Sequence, residues 1–432
     1  MTIGLGEAAA SRAEALRGDA RLLPMPARIL LLLAAVAAAG LYLQVSSRMY
    51  RVFRWADDIS AENLKRAARL QPSDAELRYR MGRYSLLMQD FPKAIADLKA
   101  AIALNPYEAR YWLDLANALL ASDDSPGARQ ALARAIEADP TTPEVVWQAA
   151  NYELVGGDTA SAMHRFHGLV ENDPDSLLRV LNVCWRATRD PELITEKVLP
   201  ARPEAHLAFI RFLIAKGEPD AATRAWSHLI ELKRPFPLPL AFPYLEYLIS
   251  HGQPNEAATA WAQLAVANPE FRAYVPPDNQ IVNGGFELDL LNGGLDWRYS
   301  SKPGASVIID VNRAHGGRRS LAISLDGAPE DSGVFQLIPV RSNTRYQFSA
   351  FMMVEGLETV SPPRFSVLGL RGSKRYVLTE GATGSTGWRE FQGEFTTTPQ
   401  DDLLLVSIVR VPSRPLIRGR VWVDDVTLVA RP

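Results

Sequence analysis

A single cysteine, Cys184, stands in a chain of 432 residues. One thiol excludes an internal disulfide framework and a multi-thiolate metal site. Its apolar, helix-like surroundings suit an inert core residue better than a nucleophile. A block of positive charge is missing too: 47 basic residues face 49 acidic ones, for a net charge of −2, so no electrostatic footprint for nucleic acid exists. Histidine is scarce at six residues, and only His164 and His167, in "HRFH", form a close pair. A metal-dependent hydrolase helix needs two histidines four apart with a glutamate beside the first, and this pair lacks both. No GxxxxGK phosphate loop and no GxSxG nucleophile turn occur. These absences, together with a chain fully occupied by the segments described next, predict a protein that is not an enzyme.

What is present begins with the 17-residue apolar run "ILLLLAAVAAAGLYLQV" from Ile29 to Val45, at the lower edge of the length needed to cross a membrane. Arg21 and Arg28 precede it and Arg48, Arg51 and Arg54 follow, so flanking charge does not set its orientation. Ala37-Ala38-Ala39 resembles the cleavage site of a signal peptide, the competing reading. Leu41, Tyr42 and Leu43 continue the apolar run past that site and favour an uncleaved anchor, and no cysteine follows it to carry a lipid. The expectation is a cytoplasmic segment over 1–28, a span over 29–45 in a bacterial inner membrane, and the bulk of the chain in the periplasm.

Prolines 72, 106, 140 and 174 stand 34 residues apart, each closing a helix-like segment, and Pro235 and Pro269 repeat the interval. Twelve residues before most of them is an alanine: Ala94, Ala128, Ala162 and Ala257. Small residues at a fixed place mark close helix crossings, and proline marks the turn into the next unit. With Gly82, Trp112 and Phe166 at further matching positions, the pattern over 55–270 resembles the tetratricopeptide repeat, an α-solenoid. That resemblance implies a superhelix of helix pairs whose concave groove binds a protein or peptide partner. First-helix residues facing the groove are then Tyr79, Arg83, Arg110, Asn117, Trp147, Asn151, Phe242 and Glu246. Asn117 and Asn151 are equivalent one repeat apart, and an amide can meet a peptide backbone as both donor and acceptor. Leu113 and Trp147 hold the places where some family members carry carboxylate-clamping lysines, which speaks against such a clamp. Residues 55–278 carry 23 basic and 30 acidic side chains, favouring a basic or mixed-charge partner.

Pro276-Pro277 sits in a linker over 271–278, after which helical periodicity gives way to short alternating strands with glycine-rich turns. Segments such as "VIIDV", "SLAISL", "YQFSAFMMV" and "LLLVSIVRV" predict an all-β sandwich or jelly roll over 279–432. Five blocks in order, "IVNGGFE", "GGRRSLAI", "YQFSAFMMVEG", "GWREFQGEFTTT" and "VWVDDVTL", resemble carbohydrate-binding modules of families 4, 9 and 22.

The resemblance implies a jelly roll that stacks sugar rings on aromatic side chains. It makes Trp297 and Trp388 packing residues, and Tyr299, Phe351, Phe365 and Tyr376 the candidate glycan platform, with Arg371, Gln336 and Gln392 as polar contacts. It also implies a structural calcium joining the first block to the last, with Glu287 and one of Asp424 and Asp425 as acidic ligands. Calcium accepts several oxygens in loose geometry, including carbonyls from a glycine-rich loop such as "HGGRRS". Adjacent strand residues point to opposite faces, so one aspartate of the pair must be compensated. A salt bridge to Arg318 or Arg319 is the alternative to the metal. The whole reads as a membrane helix, a repeat array and a β-sandwich: a non-catalytic accessory of exopolysaccharide synthesis, export or organisation, or else a scaffold whose sandwich binds no sugar.

Overall fold

The computed structural model describes residues 25–57, 61–300, 302–413 and 415–432. The expected cytoplasmic segment therefore lies, up to residue 24, outside the described residues. The chain forms two compact units, 1–165 and 166–432.

Helix α1 (Met25–Asp57) contains the apolar run; from Met25 to Trp55 it is long and apolar enough to cross a membrane, with mean hydropathy 2.2, and its apolar stretch is exposed, while Val52 and Trp55 near its end pack with Ala67 and Leu77. The first unit continues with α2 (Ala61–Leu70), α3 (Ala75–Leu87), α4 (Phe91–Leu104), α5 (Ala109–Ala121), α6 (Ser125–Ala138) and α7 (Pro143–Val155), followed by α8 (Thr159–Asn172). α3 packs on α4 and α5 on α6, as paired helices of a repeat do. Ala94, Ala128, Ala162 and Ala257 are all fully buried, as helix-crossing residues must be. Gly82 has the same cause: a β-carbon there would stand 2.7 Å from Leu98 Cγ, so α3 and α4 approach too closely for any side chain.

The turn inside each helix pair repeats as faithfully as its core. Gln89, Asp123 and Gly157, 34 residues apart, all take a left-handed backbone, and each is followed by an aspartate, Asp90, Asp124 or Asp158, whose carboxylate accepts an amide of the next helix.

In the second unit come α9 (Leu177–Thr188), α10 (Pro191–Lys197), α11 (Pro203–Lys216), α12 (Pro219–Glu231), α13 (Phe242–Ser250) and α14 (Pro254–Ala267). Cys184 is buried on α9 and burial pushes its thiol up to about 12, which makes it inert. His206 on α11 is buried as well, and burial lowers it to about 4.

Ten strands then build two antiparallel sheets. One is ordered β1 (Arg298–Tyr299), β4 (Asp331–Pro339), β9 (Leu403–Arg410), β6 (Pro363–Gly369), β7 (Arg375–Leu378). The other is ordered β2 (Ala305–Asp310), β3 (Ser320–Gly327), β10 (Ile417–Arg431), β5 (Arg345–Glu358), β8 (Gly384–Thr396). Alternate residues of both close one core around Phe286, Trp297, Phe348, Phe365, Val406 and Val423.

The "IVNGGFE" block is bound to both sheets. Val426 N–H of β10 donates to Gly284 O at 2.9 Å, and a β-carbon on Gly284 would lie 2.0 Å from Val426 O, so only glycine fits. On the other sheet the buried Gln336 amide donates to Val282 O at 2.8 Å and accepts from Val282 N–H at 3.2 Å.

Candidate functional site

Four of the expected groove residues meet in the first unit. Tyr79 of α3 stacks on Tyr111 at 4.7 Å, and the guanidiniums of Arg83 and Arg110 lie 5.8 and 5.4 Å from its ring centroid. At the centre is Asp114, which was not singled out from the sequence. Tyr79 and Asn117 hydrogen-bond to it and Arg83 Nε stands 3.6 Å away. Burial raises Asp114 above the usual carboxylate range, outweighing these partners. Tyr79 itself is buried, so its ring supports this network instead of contacting a partner. Arg110 is held by Glu108 at 2.9 Å and Glu76 at 3.6 Å.

Beside this network α5, α6 and α7 enclose a cleft of about 340 Å³. Asn117 and Asn151 both line it, with Leu113, Leu120 and Val155 supplying an apolar wall of which Val155 is 87 % exposed. Asn151 donates to Trp147 O at 2.8 Å, and Trp147 is half-buried.

The remaining pair has a different fate. Phe242 and Glu246 stand 27 and 23 residues before Pro269, the same repeat positions as Leu113 and Asn117 before Pro140 or Trp147 and Asn151 before Pro174. Both are already used within the second unit: Glu246 is forked by Arg298 at 2.5 and 3.0 Å, and Phe242 lies against Gly293. The expectation that they face a partner is corrected, because the sandwich occupies them.

The seven expected glycan-binding residues do not form one platform. Phe365 and Gln336 are fully buried, Phe365 in the core and Gln336 clamping Val282, so neither can reach a ligand. Tyr376 is half-buried against that core with its hydroxyl on Asp401. Arg371 is forked to Asp402 at 2.7 Å on both arms and donates to Gly252 O at 3.0 Å. Tyr299, 39 % exposed, stands alone on the short edge strand β1.

Phe351 and Gln392, however, share the outer face of the second sheet, and there the fold adds partners that sequence reasoning missed. His315 stacks on Phe351 with ring centroids 3.6 Å apart and meets Trp388 edge-on at 5.8 Å. Glu390, cross-strand from Phe351, accepts from Ser349 Oγ at 2.8 Å; its carboxyl is held below the usual range by Gln392 and then Ser349. Trp297 is a packing residue, but Trp388 is not: it is half-buried on this aromatic and polar patch.

The same loop answers for the adjacent aspartates. Regular alternation fails here, because the β10–β5 register slips between Asp424 and Thr427 and Asp425 takes a left-handed backbone. Both carboxylates therefore meet one loop. Asp424, fully buried, accepts N–H groups from His315 at 2.7 Å, Gly316 at 3.1 Å and Asp425 at 2.8 Å; burial raises its pKa and these bonds oppose the rise. Asp425 pairs with His315 Nδ1 at 2.6 Å. Glu287 accepts the amides of Arg318 and Arg319 at 2.7 and 2.9 Å. Calcium needs oxygen lone pairs, whereas the loop presents N–H donors to these carboxylates. Among the described residues no three His, Cys, Asp or Glu side chains gather to hold an ion. Glu287 and Asp424, expected among the acidic ligands of a structural calcium, are met here by backbone amides and Asp425 by the His315 ring, and neither Arg318 nor Arg319 bridges the aspartate pair through its side chain.

Residues 278–412 match the carbohydrate binding domain family, and residues 85–150 match the tetratricopeptide repeat. The chain thus carries a repeat region and a carbohydrate-binding-type sandwich, both of non-catalytic kinds. No curated protein matches the chain. Among solved structures, a family 4 carbohydrate-binding module is 17 % identical over 35 % of this chain and 99 % of its own, with a TM-score of 0.28. The CBM22-1 xylan-binding domain from Paenibacillus barcinonensis is 15 % identical over 34 % of this chain and 91 % of its own, at 0.25. MamA protein is 16 % identical over 44 % of this chain and 91 % of its own, at 0.27.

Proposed function

We propose that this is a non-catalytic, membrane-anchored bacterial envelope protein whose repeats recruit a protein partner while its sandwich holds glycan, in the service of making, exporting or organising an exopolysaccharide. The observation that carries the reading is the joining, in one chain and behind a membrane-length apolar helix, of a tetratricopeptide repeat match and a carbohydrate binding domain match. With α1 in the inner membrane, the bulk of the chain, which follows it, works in the periplasm.

The partner contacts the cleft of Asn117 and Asn151, where paired amides meet a peptide backbone and the Leu120–Val155 wall takes an apolar side chain. The glycan contacts the His315–Phe351–Trp388 patch, where aromatic rings stack on the C–H faces of a sugar and Glu390 and Gln392 take its hydroxyls. Glu390 and Asp425 beside the rings disfavour acidic sugars and point to a neutral polysaccharide.

Gel retardation of the detergent-solubilised full chain on neutral and acidic polysaccharides tests this. The expected result is retention on a neutral polymer that falls at least tenfold in Trp388→Ala with the melting temperature unchanged. No retention on any polymer would leave the second reading, a scaffold whose sandwich is a further protein-binding surface, which the dispersal of the seven expected glycan residues favours.

A further inference from the structure

In the second unit the last repeat and the sandwich share a seam with contacts of several kinds. Arg298, whose side chain is 17 % exposed, forks Glu246 of α13 and also donates to Gly294 O at 2.5 Å. Gly294 has a positive φ, and a β-carbon there would lie 2.2 Å from Trp261 Cζ3 of α14; one on Gly293 would lie 2.4 Å from Phe242 Cδ2. Two aromatic rings of the repeat thus fill the space that side chains of this loop would take. Tyr274 Oη donates to Asp289 O at 2.8 Å, and across the seam Arg371 reaches Gly252 O, where a β-carbon would strike its guanidinium. An ion pair with its second partner this buried is worth more than an exposed one, and ring-on-backbone packing adds apolar burial.

We propose that the stretch 289–298 is a built-in occupant of the last repeat's first-helix face, which locks the sandwich to that repeat and withholds α13 from any outside partner. Glu246 is the counterpart of Asn117 and Asn151, which line an open cleft, and Phe242 is the counterpart of Leu113 and Trp147. Where Asn117 and Asn151 line an open cleft in the first unit, here an arginine and a glycine pair from the same chain are seated on Glu246 and Phe242. A flexible tether between repeat and sandwich would need neither a fork nor two glycines shaped to two rings. The lock holds whether or not the sandwich retains a sugar, so it stands apart from the glycan reading.

Hydrogen exchange on the full chain in detergent tests it, comparing wild type with Arg298→Glu and with the charge exchange Arg298→Glu plus Glu246→Arg. Strands β3, β5 and β10 report in every sample that the sandwich is folded. The expected result is joint protection of 242–250 and 289–298 in wild type, at least tenfold faster exchange in both segments of Arg298→Glu, and recovery of both in the exchanged pair. The lock is overturned if wild-type 289–298 exchanges like free loop, or if Arg298→Glu loosens that loop while 242–250 keeps its wild-type rate.

Discussion

Asn117 and Asn151 of the first unit and Glu246 of the second occupy the same place in the 34-residue repeat, yet the two amides line an open cleft and the carboxylate is consumed by Arg298. Repeat geometry decides which way a side chain points. What that side chain meets is decided by segments distant in sequence, here a loop 52 residues away. An interaction surface read from repeat position alone is therefore a list of candidates, to be thinned by every contact the chain makes with itself.

The strongest way to stress the closed half of this comparison is through Asp296. It is fully buried within the seam loop, accepts the Leu291 amide at 2.7 Å, and burial pushes it up to about 7. A carboxyl whose folded pKa lies above its ordinary value stabilises the fold while protonated. That contribution is complete below the ordinary pKa near 4 and is lost as pH rises through about 7. Melting temperature of the second unit should fall between pH 5 and pH 8, and Asp296→Asn, which keeps the acceptor without the charge, should flatten the curve and add roughly 2–4 kcal/mol at pH 8. A wild-type curve that rises with pH over this range would show that Asp296 is solvated.

A smaller effect sharpens the contrast directly. Phe242→Ala removes a half-buried ring that packs on Gly293 and should cost about 2 kcal/mol in chemical unfolding. Asn151→Ala touches an open cleft and should stay within about 0.5 kcal/mol of wild type. Equal costs at the two positions would erase the distinction between a filled and an open face.

How much of this was legible depends on the range of the interaction. The helix pairs, the alanine crossings and Gly82 repeat every 34 residues and were visible as periodicity. The aspartate caps at 90, 124 and 158 share that period and were visible in the same way, although proline and alanine drew the reading first. Asp114 was missed because its role comes from Tyr79, Arg83 and Asn117 converging on it across two helices. In the sandwich the five blocks revealed the fold, but strand alternation could not tell which aromatic face was outward once a bulge intervened. Phe365 and Gln336 were assigned to a surface that they lie beneath, while His315 joined a platform only because its loop folds over Phe351.

The smallest expected effect concerns the loop of residues 315–319, a second place where the chain satisfies itself. A buried, unpaired carboxylate costs several kcal/mol by order of magnitude, so Asp424 needs compensation, and three backbone amides supply it. Glu287 is met by two more from the same loop. Carboxylate oxygens already met by N–H donors gain less from a cation that would compete for the same lone pairs. Chelator should therefore shift the melting temperature of the full chain by less than about 1 °C, roughly the change that a few tenths of a kcal/mol produces in a domain of this size. Asp424→Asn, by contrast, replaces one acceptor oxygen with a donor facing donors and should lower it by several degrees. A large loss on chelation, reversed by calcium and not by magnesium, would mean that the loop turns its carbonyls inward around an ion, and the comparison between self-satisfied and open surfaces would then lose this half of its support.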